Sequence, residues 1–200
     1  MLPTPIRLQP SDAERYARLR LRMLLESPWA FGASPESDKA QDLPHVRRML
    51  AQQEYAVLAI EKPRGGSEGV EERRELIASA GIARSPSPKF RHRAAVWGVY
   101  VEPEYRGHGL GRAVMAAAIE VARAWSGVDY VDLGVSENAP AARALYESLG
   151  FEVWGREPEA AEVAGCRYDE IHMTLRIACV RDGCPRTLSC EEGDAERPRA

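Results

Sequence analysis

The stretch Arg106-Gly107-His108-Gly109-Leu110-Gly111-Arg112 places a glycine at every second position between two arginines. Without side chains at 107, 109 and 111, backbone N–H groups can approach an anion closely. The residues that follow begin a helix, whose N-terminus adds unpaired donors and a favourable dipole. Arg106 and Arg112, with His108 beside them, bring positive charge. Such a turn suits a pyrophosphate. Two common phosphate loops fail here. A Gly-X-Gly-X-X-Gly fingerprint counted from Gly107 meets Arg112 at its last position, and a nucleotide-hydrolase loop needs Gly-Lys-Ser/Thr where Gly111 is followed by Arg112-Ala113. The bland alternative is a tight strand-to-helix turn with no ligand.

The elements that must position this turn can be read from periodicity. Ile6-Arg7-Leu8 is a short strand. Ser11 with Glu14 makes a capping box, and Tyr16, Leu19, Met23 and Leu24 recur at helical spacing until Pro28. Trp29 to Asp42 is a loop, and Leu43 to Gln53 a second helix with Pro44 in its first turn. Tyr55–Ile60 is a continuous apolar run, as in a strand buried on both faces. Lys62–Arg74 is a charged, glycine-rich loop, and Leu76–Ile82 is a strand. Ala94–Val101 is a strand interrupted by Gly98, a position that suggests a bulge. Leu110, Val114, Ala118, Val121 and Trp125 form one helical stripe, which Gly127 ends. Val128–Val135 is a strand. Asn138 is a candidate N-cap for a helix with Pro140 in its first turn and a buried stripe of Ala142, Leu145, Tyr146 and Leu149. Phe151–Trp154 is a short strand, and Ile171, Met173, Leu175 and Ile177 alternate with polar residues on a last one. The order β-α-α-β-β-β-α-β-α-β-β predicts an α/β fold with one mixed sheet and helices on both faces.

The turn and the helix at 140–149 together resemble the GNAT superfamily of N-acetyltransferases. Its cofactor motif, Arg/Gln-X-X-Gly-X-Gly/Ala, reads Arg106-X-X-Gly109-X-Gly111 here, preceded by Val101-X-Pro103. A second signature appears as Asn138, Ala142, Leu145, Tyr146, Gly150 and Phe151. The resemblance implies a central sheet splayed at its fourth and fifth strands, with the pantetheine arm of acetyl-CoA entering the gap. It implies cofactor contacts from Val99, Tyr100 and Val101, from Arg106, Gly107, His108, Gly109, Leu110, Gly111 and Arg112, and from Asn138 and Tyr146. The Val99 N–H would polarise the thioester carbonyl. Tyr146 matches the usual general acid that protonates the departing thiolate. Many relatives carry a glutamate on the fourth strand as the base, but Ala94–Val101 has no carboxylate. Glu170 and His172 on the last strand, Glu36 or Asp38 in the early loop, or a chain of waters remain open for that role. Tyr146 and Asn138 also have structural readings, as a core aromatic and as a cap.

The implied activity is transfer of an acetyl group from acetyl-CoA to a primary amine by direct attack. The acceptor is a small molecule or a protein amine, with the pocket shaped by Trp29–Asp42 and Glu157–Tyr168. A CoA-binding sensor without catalysis is the alternative, supported by the missing fourth-strand carboxylate. No cysteine lies near the motif, Cys166 in the loop before the last strand being a remote exception, so a covalent acyl-enzyme is not suggested. A net charge of -3 argues against a dedicated nucleic-acid binder. No run of about 18 uncharged apolar residues suggests a membrane span. The N-terminus does not read as a signal peptide, so a cytoplasmic location is the expectation. No metal is expected, since the cysteines at 166, 179, 184 and 190 lack paired zinc hooks. The expected organisation is one acetyltransferase domain over 1–178 and a disordered tail over 179–200. The resemblance allows a homodimer, a form common in the family.

Overall fold

A computed structural model describes residues 3–63 and 75–177. The expectations for the 62–74 loop, beyond its first two residues, and for the C-terminal tail with its three cysteines lie outside the described residues. Strand β1 (Ile6–Arg7) leads through a 3-10 turn into α1 (Ala13–Glu26), and α2 (Leu43–Leu50) follows. Strands β2 (Tyr55–Glu61), β3 (Leu76–Arg84) and β4 (Arg93–Val101) run into α3 (Leu110–Ala124). The chain closes with β5 (Tyr130–Ser136), α4 (Pro140–Ser148), β6 (Glu152–Val163) and β7 (Cys166–Arg176). The strand order is β1-β2-β3-β4-β5-β7-β6. Every pair is antiparallel except β4 and β5.

The sheet separates two cores. Helices α1 and α2 cover one face, with Tyr16, Leu19, Met23, Val46 and Leu50 packed on Leu8, Val57 and Ala59. Helices α3 and α4 cover the other, where Leu110, Val114, Met115, Ala118, Ile119 and Ala122 make the buried stripe of α3. Full burial of such a side chain stabilises by about 1.5–3 kcal/mol. This stripe therefore fixes where the start of α3, and hence the glycine turn, sits on the sheet. A charge at Val114, which has no exposed surface, would unseat it.

Two features of β4 open the sheet. Opposite β3, Ile82 faces Val96 and Gly81 faces Trp97, but Ser79 faces Tyr100, so β4 carries one extra residue. The bulge falls at Gly98, whose φ of 59° is left-handed, as one bulge type requires of glycine. Strict alternation would put Trp97 and Tyr100 on opposite faces. Both instead reach the α1/α2 side, while Val96, Val99 and Val101 pack on the α3/α4 side. Opposite β5, pairing covers only Arg93–Ala95 with Tyr130–Asp132. Beyond Ala95 the edge of β4 that faces β5 has no strand partner among the described residues. This is the predicted splay between the fourth and fifth strands.

Several local expectations are corrected. The box at Ser11 and Glu14 does not start α1. Asp12 is the N-cap residue and its carboxylate accepts from the Gln9 N–H at 2.9 Å, so the reciprocal contact lies one 3-10 turn earlier. Asn138 does not cap α4. Ala139 holds the cap position without a side-chain bond, because Pro140 takes the first helical place and needs no N–H partner. Helix α2 ends at Leu50, not Gln53. Strand β6 runs to Val163, far past Trp154, since β7 supplies a partner along its length. Its register breaks between Glu157 and Ala161, around Pro158, which cannot donate to a ladder. Ala164 and Gly165, at φ 51° and 79°, close the hairpin as a two-residue turn with both residues left-handed. Cys166 therefore begins β7 and is exposed, rather than lying in a loop.

Candidate active site

The glycine turn is held by its flanks. After the 3-10 turn Pro103–Tyr105, the Arg106 N–H bonds Pro103 O at 3.2 Å. Gly107 and Gly109 take φ of 78° and 77°, and Gly109 is the N-cap of α3. Ala113 makes the first helical bond, to Gly109 O at 3.1 Å. The N–H groups from Gly107 to Arg112 have no hydrogen-bond partner among the described residues. A Cβ on Gly107 would meet nothing within 4 Å, so this side of the turn is open. At Gly111 a Cβ would stand 3.2 Å from Leu145 Cδ2, so glycine lets α4 close on the start of α3.

A cleft of about 530 Å³ leads from this turn into the sheet. Val99, Tyr100 and Val101 form its floor, α4 from Asn138 to Tyr146 one wall, and Trp29–Phe31 the other. Of the residues that the motif implied for the cofactor, all line this cleft except His108, which is exposed. The glycines on either side turn its side chain outward. The Arg106 guanidinium is also turned from the amides: it donates to Val101 O at 3.0 Å and to Glu26 at 2.7 Å, and lies 5.8 Å from the Tyr100 ring centre. Burial opposes charge on Glu26, yet hydrogen bonds from Arg106 and Ser27 outweigh it and hold this carboxyl below its usual range. Arg112 donates to Ser148 Oγ at 2.6 Å. The anion-binding capacity of the turn thus rests on main-chain amides more than on arginine side chains.

Tyr146 reaches the inner end of the cleft from the α3/α4 side. It is 5% exposed, its ring centre lies 6.1 Å from that of Phe151, and its hydroxyl has no hydrogen-bond partner among the described residues. Burial pushes its phenol well above the ordinary range, so it stays protonated.

The basic candidates separate clearly. Asp38 is committed: it accepts from Arg20 Nε at 2.9 Å and from the Ala40 N–H at 2.8 Å. Glu36 is exposed on its turn. His172 bonds Glu157 at 3.0 Å and stacks under Trp154, ring centres 5.2 Å apart. Glu170 has no hydrogen bond or ion pair among the described residues, and its carboxylate lies across Gly134 of β5. A Cβ on Gly134 would overlap Glu170 Oε1 and stand 2.6 Å from Cδ. Continuing the offset that pairs Arg93 with Tyr130, Gly134 is level with Trp97 and borders the gap beside the bulge. Glu170 and His172 share the α1/α2 face of β7, because Ile171 and Met173 point to the other core. The Glu157, Glu170 and His172 ligand atoms all lie within 4.8 Å of one another. A carboxylate two strands from β4 thus reaches back over a glycine toward the gap. No sequence signal marked Gly134, since its meaning comes only from the β5–β7 register.

The chain matches the acetyltransferase (GNAT) family over residues 21–151 and belongs to that family. It is 52% identical to a mycothiol acetyltransferase of Kocuria rhizophila over 59 residues, 30% of this chain and 19% of that protein. It is 34% identical to the N-alpha-acetyltransferase RimI of Mycobacterium tuberculosis over 91 residues, 45% of this chain and 54% of that one. The matched segments therefore span from about a fifth to about half the length of these curated relatives. Among solved structures, yncA from Salmonella typhimurium, solved with acetyl-CoA, superposes with a TM-score of 0.71 at 22% identity, covering 92% of this chain and 100% of that one.

Proposed function

We propose that this protein transfers an acetyl group from acetyl-CoA to a primary amine by direct attack in a ternary complex. The observation that carries the reading is the shared cleft. Unpartnered amides at the start of α3 and the hydroxyl of Tyr146 open into one channel that ends at the β4–β5 gap. The N–H groups from Gly107 to Arg112 would hold the diphosphate, and Asn138 would border the arm that passes α4. Acetyl-CoA supplies an acetyl group already activated as a thioester. The Val99 N–H, on the bulged stretch, would donate to the carbonyl oxygen as charge grows there. Tyr146 would give its proton to the departing sulfur. Glu170, on the other face beside the gap, would take the proton from the attacking amine, with His172 and Glu157 carrying it outward. Acid and base then approach the acetyl carbon from opposite faces of the sheet. That suits direct attack and makes no use of Cys166.

No helix among the described residues is long and apolar enough to cross a membrane. A cytoplasmic location and a small-molecule or protein amine as partner accord with this reading. Thiol release from acetyl-CoA, followed over a panel of amines, tests it. Amine-dependent release, with the acetylated amine recovered in equal amount, supports the enzyme. Tight CoA binding with no turnover for any amine would make the protein a sensor.

A further inference from the structure

On the α1/α2 side of the bulge lies a second cavity of about 280 Å³, between α1, the 3-10 turn Lys39–Gln41, α2 and the sheet. Its walls include Tyr16, Tyr55 and Trp97, and the Arg20–Asp38 pair closes one side. The Trp97 ring lies over Gly81 of β3, where a Cβ would come within 2.7 Å of Trp97 Cδ2, so glycine makes room for the indole. Arg20 extends from the cavity wall to the bulge of β4. A Cβ on Gly98 would lie 3.5 Å from Arg20 Nη1, and Gly98 adjoins the Val99 amide.

Two features of this cavity call for a ligand group. Tyr16 is 2% exposed and lines the cavity, and its hydroxyl, which is not sealed from solvent, has no hydrogen-bond partner among the described residues, so it can donate to a group that enters. Arg20 is 9% exposed. Its Nε and Nη2 are taken by Asp38, but Nη1 meets only the Met23 sulfur, at 3.2 Å, a weak acceptor. Burial pushes the phenols of Tyr16 and Tyr55 far above their ordinary range, so both remain donors. What the cavity offers is therefore two donors with spare capacity, the Tyr16 hydroxyl and Arg20 Nη1. Asp38 offsets the Arg20 charge and is taken up by it, while Lys39 and His45 also line the cavity, so a second cation finds no free carboxylate there. A carboxylate fits.

We infer that the acceptor is an amino carboxylic acid: its amine enters the β4–β5 gap toward Glu170, and its carboxylate is held by Arg20 Nη1 and the Tyr16 hydroxyl. This rests on the acetyl-transfer reading for the amine end, whereas the carboxylate site stands on the cavity itself. The chemistry balances without another reactant. The N–C bond forms, the C–S bond breaks, the amine proton leaves through Glu170, and the thiolate takes one from Tyr146.

The test pairs each of several amino acids with the amine that it gives on decarboxylation. kcat/KM is measured by thiol release for the full chain and for Tyr16→Phe, and calorimetry measures amino-acid binding to the CoA-loaded protein. The expected result is a preference for the amino acid of about tenfold or more, as a charge-assisted hydrogen bond provides. Tyr16→Phe shrinks that preference through KM, and weakens amino-acid binding in proportion. If Tyr16→Phe lowers stability, the double variant Arg20→Gln/Asp38→Asn removes the guanidinium without leaving a buried carboxylate unpaired, and should also shrink the preference. Equal turnover of both members of each pair, or losses in the variants that are equal for both, would overturn the inference. If neither member is acetylated, the acetyl-transfer reading fails. Calorimetry then decides the cavity alone: binding weakened by Tyr16→Phe supports the carboxylate site, and no binding refutes it.

Discussion

Gly134→Ala separates a catalytic role for Glu170 from a merely crowded strand. Gly134 lies in a regular stretch of β5 with no left-handed φ, so alanine is tolerated there by the backbone. The difficulty is the neighbour: the new methyl would overlap Glu170 Oε1, stand 2.6 Å from Cδ and 3.1 Å from Cγ. Carbon atoms pack at about 3.5–4 Å, so the carboxylate must withdraw by about 1 Å or more. A general base works only within about 2.6–3.2 Å of its proton, and a 1 Å misplacement can cost on the order of 10²-fold. Gly134→Ala should therefore lower kcat by about 10²-fold, or ~2.7 kcal/mol of barrier. Glu170→Gln should cost about 10²–10⁴-fold. The double variant should be no slower than Glu170→Gln, because the amide that the methyl displaces takes no proton. Steady-state thiol release gives kcat, calorimetry gives CoA affinity, and circular dichroism checks the fold. Wild-type kcat in a folded Gly134→Ala, or additive losses in the double variant, would refute the placement of the base.

Four further outcomes are expected. Gly109→Glu should abolish CoA binding by calorimetry while the far-ultraviolet spectrum stays native, since it puts a carboxylate and a strained left-handed residue among the turn amides. Tyr146→Phe should lower kcat more than it weakens CoA binding; an unchanged kcat would leave Tyr146 as packing alone. Because burial raises the Tyr146 pKa, its acid form persists above the ordinary phenol value. The pH profile of kcat should thus show no fall near pH 10 that disappears in Tyr146→Phe. Gly98→Ala should cost about 1–2 kcal/mol for a left-handed residue, lowering Tm by a few degrees, and should reduce kcat by disturbing the bulge beneath Val99.

What the sequence disclosed follows from the range of each interaction. Helix α3 and strand β2 were legible because their burial repeats locally, every third or fourth residue in one and continuously in the other. Gly98 was legible as an interruption, and Arg106–Gly111 as a run of missing side chains before a helical stripe. The extent of β6 was not, since Glu157–Val163 has no apolar alternation and is a strand only through its ladder with β7. The cap of α4 was misplaced by one residue, as Pro140 at the first helical position leaves the preceding place to Ala139. In the site, the turn was carried by spacing within one segment, and Tyr146 by the family resemblance of its helix. Glu170 was only one of several candidates, because its reach depends on a glycine 36 positions earlier. Trp97, on the cofactor strand, was legible as a wall of the acceptor pocket, whereas Arg20 and Tyr16 went unmarked as site residues: helical periodicity assigns Tyr16 to a core and says nothing of a cavity inside it.

The central claim is that bare amides at the start of α3 clasp a diphosphate. Backbone amide NMR during a titration with CoA tests it directly. The account predicts that the largest saturable shifts fall on Gly107, Gly109, Leu110 and Gly111, with smaller ones at Val99 and Tyr146. Saturable binding that leaves those four amides unmoved, with the shifts clustered elsewhere, would contradict it.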